Sequence, residues 1–261
     1  RRKMKYTTLG KTGARVSRIG LGLAALGRPG YINLGHAEDL QQNYNAQAMQ
    51  WHTCKMLDLA WDAGLRYFDV ARSYGKAEAF LGFWLQNRPQ KVEVPFVASK
   101  WGYTYTADWK VNAPVHEVKE HSVTVLQKQV LETRQHLGTN PDLYQIHSAT
   151  LESKVLENTH VLRRLAQLKA RGMRIGLTLS GPQQAVTLEK ALAVNVEGVR
   201  LFDTVQATFN LLERSAADML TTARQEGLGV VIKEALANGR LTFRNPDVHL
   251  DPEWQLLKTQ A

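Results

Sequence analysis

The stretch FDVARSYG, residues 68–75, ends an apolar run on an aspartate and follows it closely with an arginine and a tyrosine. Taking an unpaired carboxylate out of water costs several kcal/mol, roughly, so a buried strand that finishes in Asp69 requires a cation nearby. Six further short apolar runs are candidates to supply it: RIGLGLAAL, PFVASKWG, LYQIHSA, RIGLTLSG, VRLFDTVQATFN and LGVVIKEAL. The intervals between the runs carry helical periodicity, in MQWHTCKMLDLAWDAG, AEAFLGFWLQNR, a long segment near 117–137, VLRRLAQLKARG, QQAVTLEKALAV and SAADMLTTARQEG. Strands that alternate regularly with helices are parallel, because each helix carries the chain back to the start of the next strand.

An open doubly wound sheet and a closed (β/α)8 barrel both satisfy that pattern, and the polar residues choose between them. Asp69, Lys100, His147, Thr178, Gln206 and Glu234 sit at the C-terminal ends of different strands. An open sheet gathers its ligand at one switch point, whereas a barrel brings every strand end to a single mouth. The reading is therefore α/β, a TIM barrel forming one domain over residues 1–261. The segment 5–18 alternates around the turn residues Gly10 to Gly13 and reads as an N-terminal β-hairpin.

With 261 residues and 44% hydrophobic content the chain can bury a sizeable core. The net charge of +9 raises nucleic acid as a partner, but basic residues are interspersed with acidic ones, as in VKEHSVTVLQKQVLETRQHLG, which reads as a solvated surface. No run reaches the roughly 18 uninterrupted apolar residues of a membrane-spanning helix. Cys54, the single cysteine, suits a reducing compartment and reads as a buried structural thiol; with His52 too close to it for good chelation, no metal site is expected. A cytoplasmic setting fits, as does an organelle lumen after removal of a leader ahead of RRKMKY.

GLGLAA, residues 20–25, matches the G-x-G-x-x-A dinucleotide fingerprint, with Glu38 and Asp39 near the expected acidic position. The fingerprint needs a helix starting on its glycines, and LGRPGYINLG follows instead, where Gly27, Pro29, Gly30 and Gly35 break any helix. These glycines are read as letting the first strand's end approach a ligand.

Alternation along the strands turns Lys100 and Asp69 to one side, with Gln145 and His147 sharing a face on theirs. If those faces point to the barrel axis, Lys100 is the cation that Asp69 requires, and Tyr74 reaches over both. With these positions in place the chain resembles the aldo-keto reductases, through RIGLG, FDVARSYGKAEAFLG, ASKWG, LYQIHSA, RIGLTLSG and VQATFNLLER in the family's order, over about residues 5 to 245. The resemblance implies an NAD(P)H-dependent oxidoreductase, using NADPH or less often NADH, that reduces an aldehyde or ketone to an alcohol. It implies Tyr74 as proton donor, Lys100 and Asp69 as its ion pair and His147 as a second contact to the carbonyl oxygen. It also implies Thr178 and Gln206 on the nicotinamide carboxamide, Phe209 stacked on the ring, and backbone contacts from Gly22, Leu23, Glu234, Ala235 and Leu236. Trp101, beside Lys100, is expected to line the substrate pocket, and Arg72 and Lys76 to be solvated or substrate-entry charges. Each of these residues also has a purely structural reading, such as a buried ion pair or a core histidine.

The sequence departs from the family pattern in two places. Leu179 stands where an asparagine is usual, which puts one carboxamide contact in doubt. After the seventh strand comes ALANGRLTFRNPDVHLDPEWQLLKTQA, ending in what reads as the start of a seventh helix. The eighth strand and helix are then expected to be missing, so that either the sequence given is incomplete or another chain covers the open barrel edge. The latter keeps a rival reading alive, a non-catalytic structural or regulatory subunit of a larger assembly.

Overall fold

The structure is a computed structural model that describes residues 3–88 and 93–245. Seven parallel strands form one sheet: β1 (Leu21–Gly22), β2 (Tyr67–Asp69), β3 (Phe96–Trp101), β4 (Leu143–Ala149), β5 (Arg174–Leu179), β6 (Thr204–Thr208) and β7 (Gly229–Lys233). Each pairs with its neighbour in chain order, so β1 and β7 are the two ends of the sheet among the described residues. Among the described residues six helices of nine or more residues run between the strands: α1 (Ala46–Asp62), α2 (Ala77–Asn87), α3 (Val123–Leu137), α4 (Thr159–Ala170), α5 (Gln184–Leu192) and α6 (Ala217–Gln225). This is the curled sheet of a (β/α)8 barrel with seven of its strands described, as the alternation predicts. The segment from 246 onward, where the sequence places most of the seventh helix's start, lies outside the described residues.

Local chemistry sets the helix ends. Asn45 caps α1 by accepting from the amides of Gln47 and Ala48, Ser122 caps α3 through Val125, and Asn158 caps α4 through Val161. The Ser122 cap also corrects the long helix expected near 117–137. Glu117–Lys119 instead forms an antiparallel hairpin with Tyr103–Tyr105 beside the barrel mouth, and the helix starts at Val123. The first strand is shorter than its apolar run, because after Gly22 the chain turns and Leu26 and Gly27 donate back to the Leu23 carbonyl. No helix starts on the glycines, which removes the dinucleotide-fingerprint reading.

Strand alternation divides the apolar residues into two layers. Phe68, Val97, Tyr144, Ile146, Leu177 and Val205 face outward and pack with the helices, against residues such as Leu57, Leu81, Leu126 and Leu165. Tyr67, Phe96, Ala98 and Leu143 face the axis at its lower end, where Leu9 and Val16 of the N-terminal hairpin (Tyr6–Thr8 with Arg15–Ser17) close the barrel. Closure demands glycine at position 10: φ is +54°, and a Cβ there would lie 2.3 Å from the Gly229 amide nitrogen. With the bottom filled by apolar side chains, polar inward residues collect at the top. Among the described residues no helix is long and apolar enough to cross a membrane.

One buried charge ties the sheet to the helices. Glu78, 1% exposed on the first turn of α2, accepts from Ser99 Oγ on β3 (2.6 Å), Thr133 Oγ1 on α3 (2.8 Å) and Arg72 Nη1 (2.8 Å). Arg72 also donates to Glu132 at 3.1 Å. This corrects the reading of Arg72 as a solvated or entry charge, since it is a structural cation that pins the turn after β2. Lys76 is exposed, its ammonium 5.1 Å from the Trp109 ring centroid. Removing the carboxylate while leaving its donors buried costs roughly 3–5 kcal/mol. Denaturant unfolding of Glu78→Ala is expected to show a loss of that size, and a change under about 1 kcal/mol would contradict the network's role.

Candidate active site

β2 ends in Asp69, 9% exposed, and β3 carries Lys100, 1% exposed, both on the axial face. The Lys100 ammonium is paired directly with Asp69 Oδ2 and donates at 3.0 Å to the Val70 carbonyl. Gln145 Nε2 on β4 donates to Asp69 Oδ1 at 3.3 Å, so both carboxylate oxygens are engaged. The cation that residues 68–75 demand is thus Lys100, three adjacent strands forming the pair and its brace.

Beyond Asp69 the chain turns through Ala71 and Tyr74, with the Tyr74 amide donating to the Ala71 carbonyl at 3.1 Å. Gly27 lets the loop after β1 pass against this turn, since a Cβ there would lie 2.2 Å from the Tyr74 carbonyl oxygen. The turn lays the Tyr74 ring over the Lys100 ammonium, 4.7 Å from Nζ to centroid. His147 stands edge-on to the same ring with centroids 5.5 Å apart, and Tyr103 flanks His147 at 4.9 Å. A register irregularity between Ile146 and Ala149 frees His147 from the regular ladder; Ser148 adopts φ +52° and its amide donates to Thr178 Oγ1 at 2.7 Å. Ser73 Oγ lies 3.4 Å from His147 Nδ1, and His121 Nε2 donates to the His147 carbonyl oxygen at 2.9 Å. Asp69, Tyr74, Lys100 and His147 therefore meet at one end of the barrel.

Burial pushes the Tyr74 phenol well above its ordinary pKa and the Asp69 carboxylate adds to this, while Arg28 opposes both. Burial and the Asp69 carboxylate thus leave the phenol protonated at rest. Burial and then Lys100 hold His147 well below the usual imidazole value, so it is neutral. Neutral His147 and protonated Tyr74 are two hydrogen-bond donors converging beside one ammonium.

The other expected residues divide. Thr178 and Gln206 are register partners on β5 and β6, 1% and 4% exposed. The Gln206 carboxamide makes no hydrogen bond among the described residues, which leaves it open to pair with another amide. Gly22 is exposed, and nothing lies within 4 Å of a Cβ built on it. Leu23 is fully buried and its amide donates to the Asp69 carbonyl, so it shapes the mouth from within the chain. Phe209 packs against the layer between sheet and helices. Trp101 is 0% exposed in that same layer, a correction to its pocket-lining reading: alternation that turns Lys100 inward turns Trp101 outward.

A cavity of about 570 Å³ opens between the loops after β5, β6 and β7, lined by Gln184, Asn210, Glu234, Asn238 and Arg240 and bordered by Ile32 and Leu34. Glu234, at φ +57°, accepts from Thr208 Oγ1 at 2.9 Å, and its carbonyl accepts from Asn210 Nδ2 at 2.9 Å. Ala235 and Leu236 continue this rim, the Leu236 side chain 60% exposed. Two site cations escaped the sequence reading. Arg28 is buried in the glycine-rich loop, paired with Glu117 at 3.2 Å and 5.7 Å from the Tyr74 ring centroid; Lys233 ends β7. Their only sequence signal was position, one beside Gly27 and one at a strand terminus.

The buried imidazoles make stability pH-dependent. Burial, then Lys119, lowers His121 to about 4, and His147 is lowered too. Below the ordinary value of about 6.5 the unfolded chain takes up protons that the folded chain refuses, so stability falls as pH drops through that window. Melting curves recorded from about pH 7 down to about pH 4.5 are expected to show a falling Tm, with a shallower slope in His121→Phe; an unchanged slope would contradict the burial effect.

The sequence profile described as the Aldo/keto reductase family matches residues 18–256. Uncharacterized oxidoreductase YrpG of Bacillus subtilis (strain 168) is 28% identical over 248 residues, 91% of this chain and 68% of that protein. D-threo-aldose 1-dehydrogenase of a Pseudomonas species is 24% identical over 255 residues, 91% of this chain and 73% of that one. The chain spans 58 to 62% of the length of three other curated relatives. Among solved structures, PA4992 from Pseudomonas aeruginosa superposes with a TM-score of 0.67 at 26% identity, covering 92% of this chain and 85% of that one. With the profile spanning all seven strands that carry the polar mouth, the chain belongs to the aldo/keto reductase family.

Proposed function

We propose that this chain is an NAD(P)H-dependent oxidoreductase that reduces an aldehyde or ketone to the alcohol, or runs the reverse reaction. The observation that carries the reading is the Lys100 ammonium, backed by Asp69, lying under the Tyr74 ring with neutral His147 edge-on to it. Family membership and the relative named D-threo-aldose 1-dehydrogenase support a carbonyl–alcohol couple. The cofactor assignment is supported by the Gln206 carboxamide beside Thr178, which has no hydrogen-bond partner among the described residues, and by the size of the adjoining cavity. Thr178 and Gln206 would hold the carboxamide, and the rim at Gly22 and residues 234–236 would hold the remainder.

When bound, a reduced nicotinamide supplies hydride. The chain's own part is the proton and the charge. His147 donates a hydrogen bond that orients the carbonyl oxygen. Tyr74 Oη gives its proton to that oxygen as negative charge develops there, and the phenolate left behind lies beside the Lys100 ammonium. A phenol held above its ordinary pKa keeps its proton until a strongly basic oxygen arrives, which suits a donor and not a base at rest. Asp69 keeps Lys100 charged and in place through the cycle.

Tyr74→Phe removes the proton while keeping the ring. NADPH oxidation with a small aldehyde is expected to fall by about 10²–10⁴-fold, with NADPH affinity by fluorescence titration changed by less than about threefold. Unimpaired turnover would remove Tyr74 as the acid. Because His147 stays neutral, the wild-type rate is also expected to lack an inflection near the ordinary imidazole value of about 6.5.

A further inference from the structure

Lys233 has no part in the proton-transfer chemistry above, yet it occupies the mouth. The alternation that points Gly229 and Val231 of β7 toward the axial core also points Lys233 that way, and it pairs in register with Thr208 on β6. One layer below, Val231 pairs with Gln206, which pairs with Thr178. The ammonium donates to Thr208 Oγ1 at 2.7 Å and lies 3.4 Å from Glu234 Oε1, so two of its three N–H bonds are held and its charge is fixed in place. Its own charge is felt at His147, and it feels those of Lys100 and Asp69, which sets it within electrostatic reach of the reacting end. No aromatic ring takes this inward position on β7, and Phe209 is engaged in the outer layer.

We propose that Lys233 determines which redox state of the nicotinamide the site prefers, favouring the neutral reduced ring over the positively charged oxidised ring. The inference rests on the cofactor reading above. The two forms share their phosphates, sugars and carboxamide, so the ring's unit charge is the main difference a fixed ammonium near the carboxamide site can act on. A site cation repels the oxidised ring and leaves the reduced ring nearly unaffected, and only such differential affinity shifts a preference. The device promotes release of the oxidised cofactor and turns the mouth toward carbonyl reduction. Glu234 attenuates it by partly neutralising the ammonium.

The test is isothermal titration of the full chain with NADPH and with NADP+, for wild type and three variants. Wild type is expected to bind NADPH more tightly, and Lys233→Met to reduce the ratio of the two dissociation constants by about tenfold, the order expected of two charges several ångströms apart in a partly solvated cleft. Lys233→Arg should keep the ratio, and Glu234→Gln should raise it. The opposite signs of the Met and Gln variants separate a charge effect from loss of packing, and Glu234→Gln decides the matter if Lys233→Met does not fold. A ratio unchanged in both, or lowered equally in Lys233→Arg, overturns the inference while leaving the cofactor reading intact. If wild type binds neither nucleotide, the cofactor reading fails and the inference with it.

Discussion

The buried pair of Lys100 and Asp69 is the constraint around which this barrel is arranged. Taking both charges out of water costs several kcal/mol, roughly, for each ion, and an apolar pair of equal volume would serve stability as well or better. The chain meets the cost with a brace: Gln145 on the second carboxylate oxygen and the Val70 carbonyl on the ammonium. A structural purpose is already served nearby by Glu78, with Arg72, Ser99 and Thr133 around it. Two charge clusters on opposite faces of the same strands therefore divide the work. The outward one fixes the turn after β2, and the inward one faces the Tyr74 ring that this turn presents.

The apolar design supports the same division. The N-terminal hairpin fills the lower end of the barrel with Leu9 and Val16 against Tyr67, Phe96 and Leu143, so water and polar chemistry are confined to the other end. There the side chains of six strands contribute one or two polar groups each, and the helices contribute none of the four central residues. Precision comes from strands held on both sides by neighbours, which is why a half-ångström requirement on a proton donor can be met by a turn only a few residues long.

Much of this was legible in the sequence because strand alternation is rigid. Asp69 and Lys100 had to meet once both were assigned to axial faces at strand ends, and His147 followed with them. The same rule, applied one residue further, would have turned Trp101 away from the mouth. Arg72 was misread because its partner Glu78 sits on the following helix and Glu132 on a more distant one, contacts that no local pattern encodes. Lys233 was hidden by placing the end of the seventh strand at Glu234. The Glu117–Lys119 hairpin was absorbed into a helix because its three residues are too short for a period to register. The direction of the Tyr74 shift is set first by how deeply the phenol is buried, with the Asp69 carboxylate adding to it, and depth of burial is not a property of spacing.

A double-mutant cycle on kcat/KM for carbonyl reduction, combining Asp69→Asn with Lys100→Met, tests directly whether the two residues act as one unit. If the carboxylate works only by keeping the ammonium charged and placed, the double variant should be no slower than Lys100→Met alone. Losses that multiply across the two substitutions would show independent roles and contradict the account.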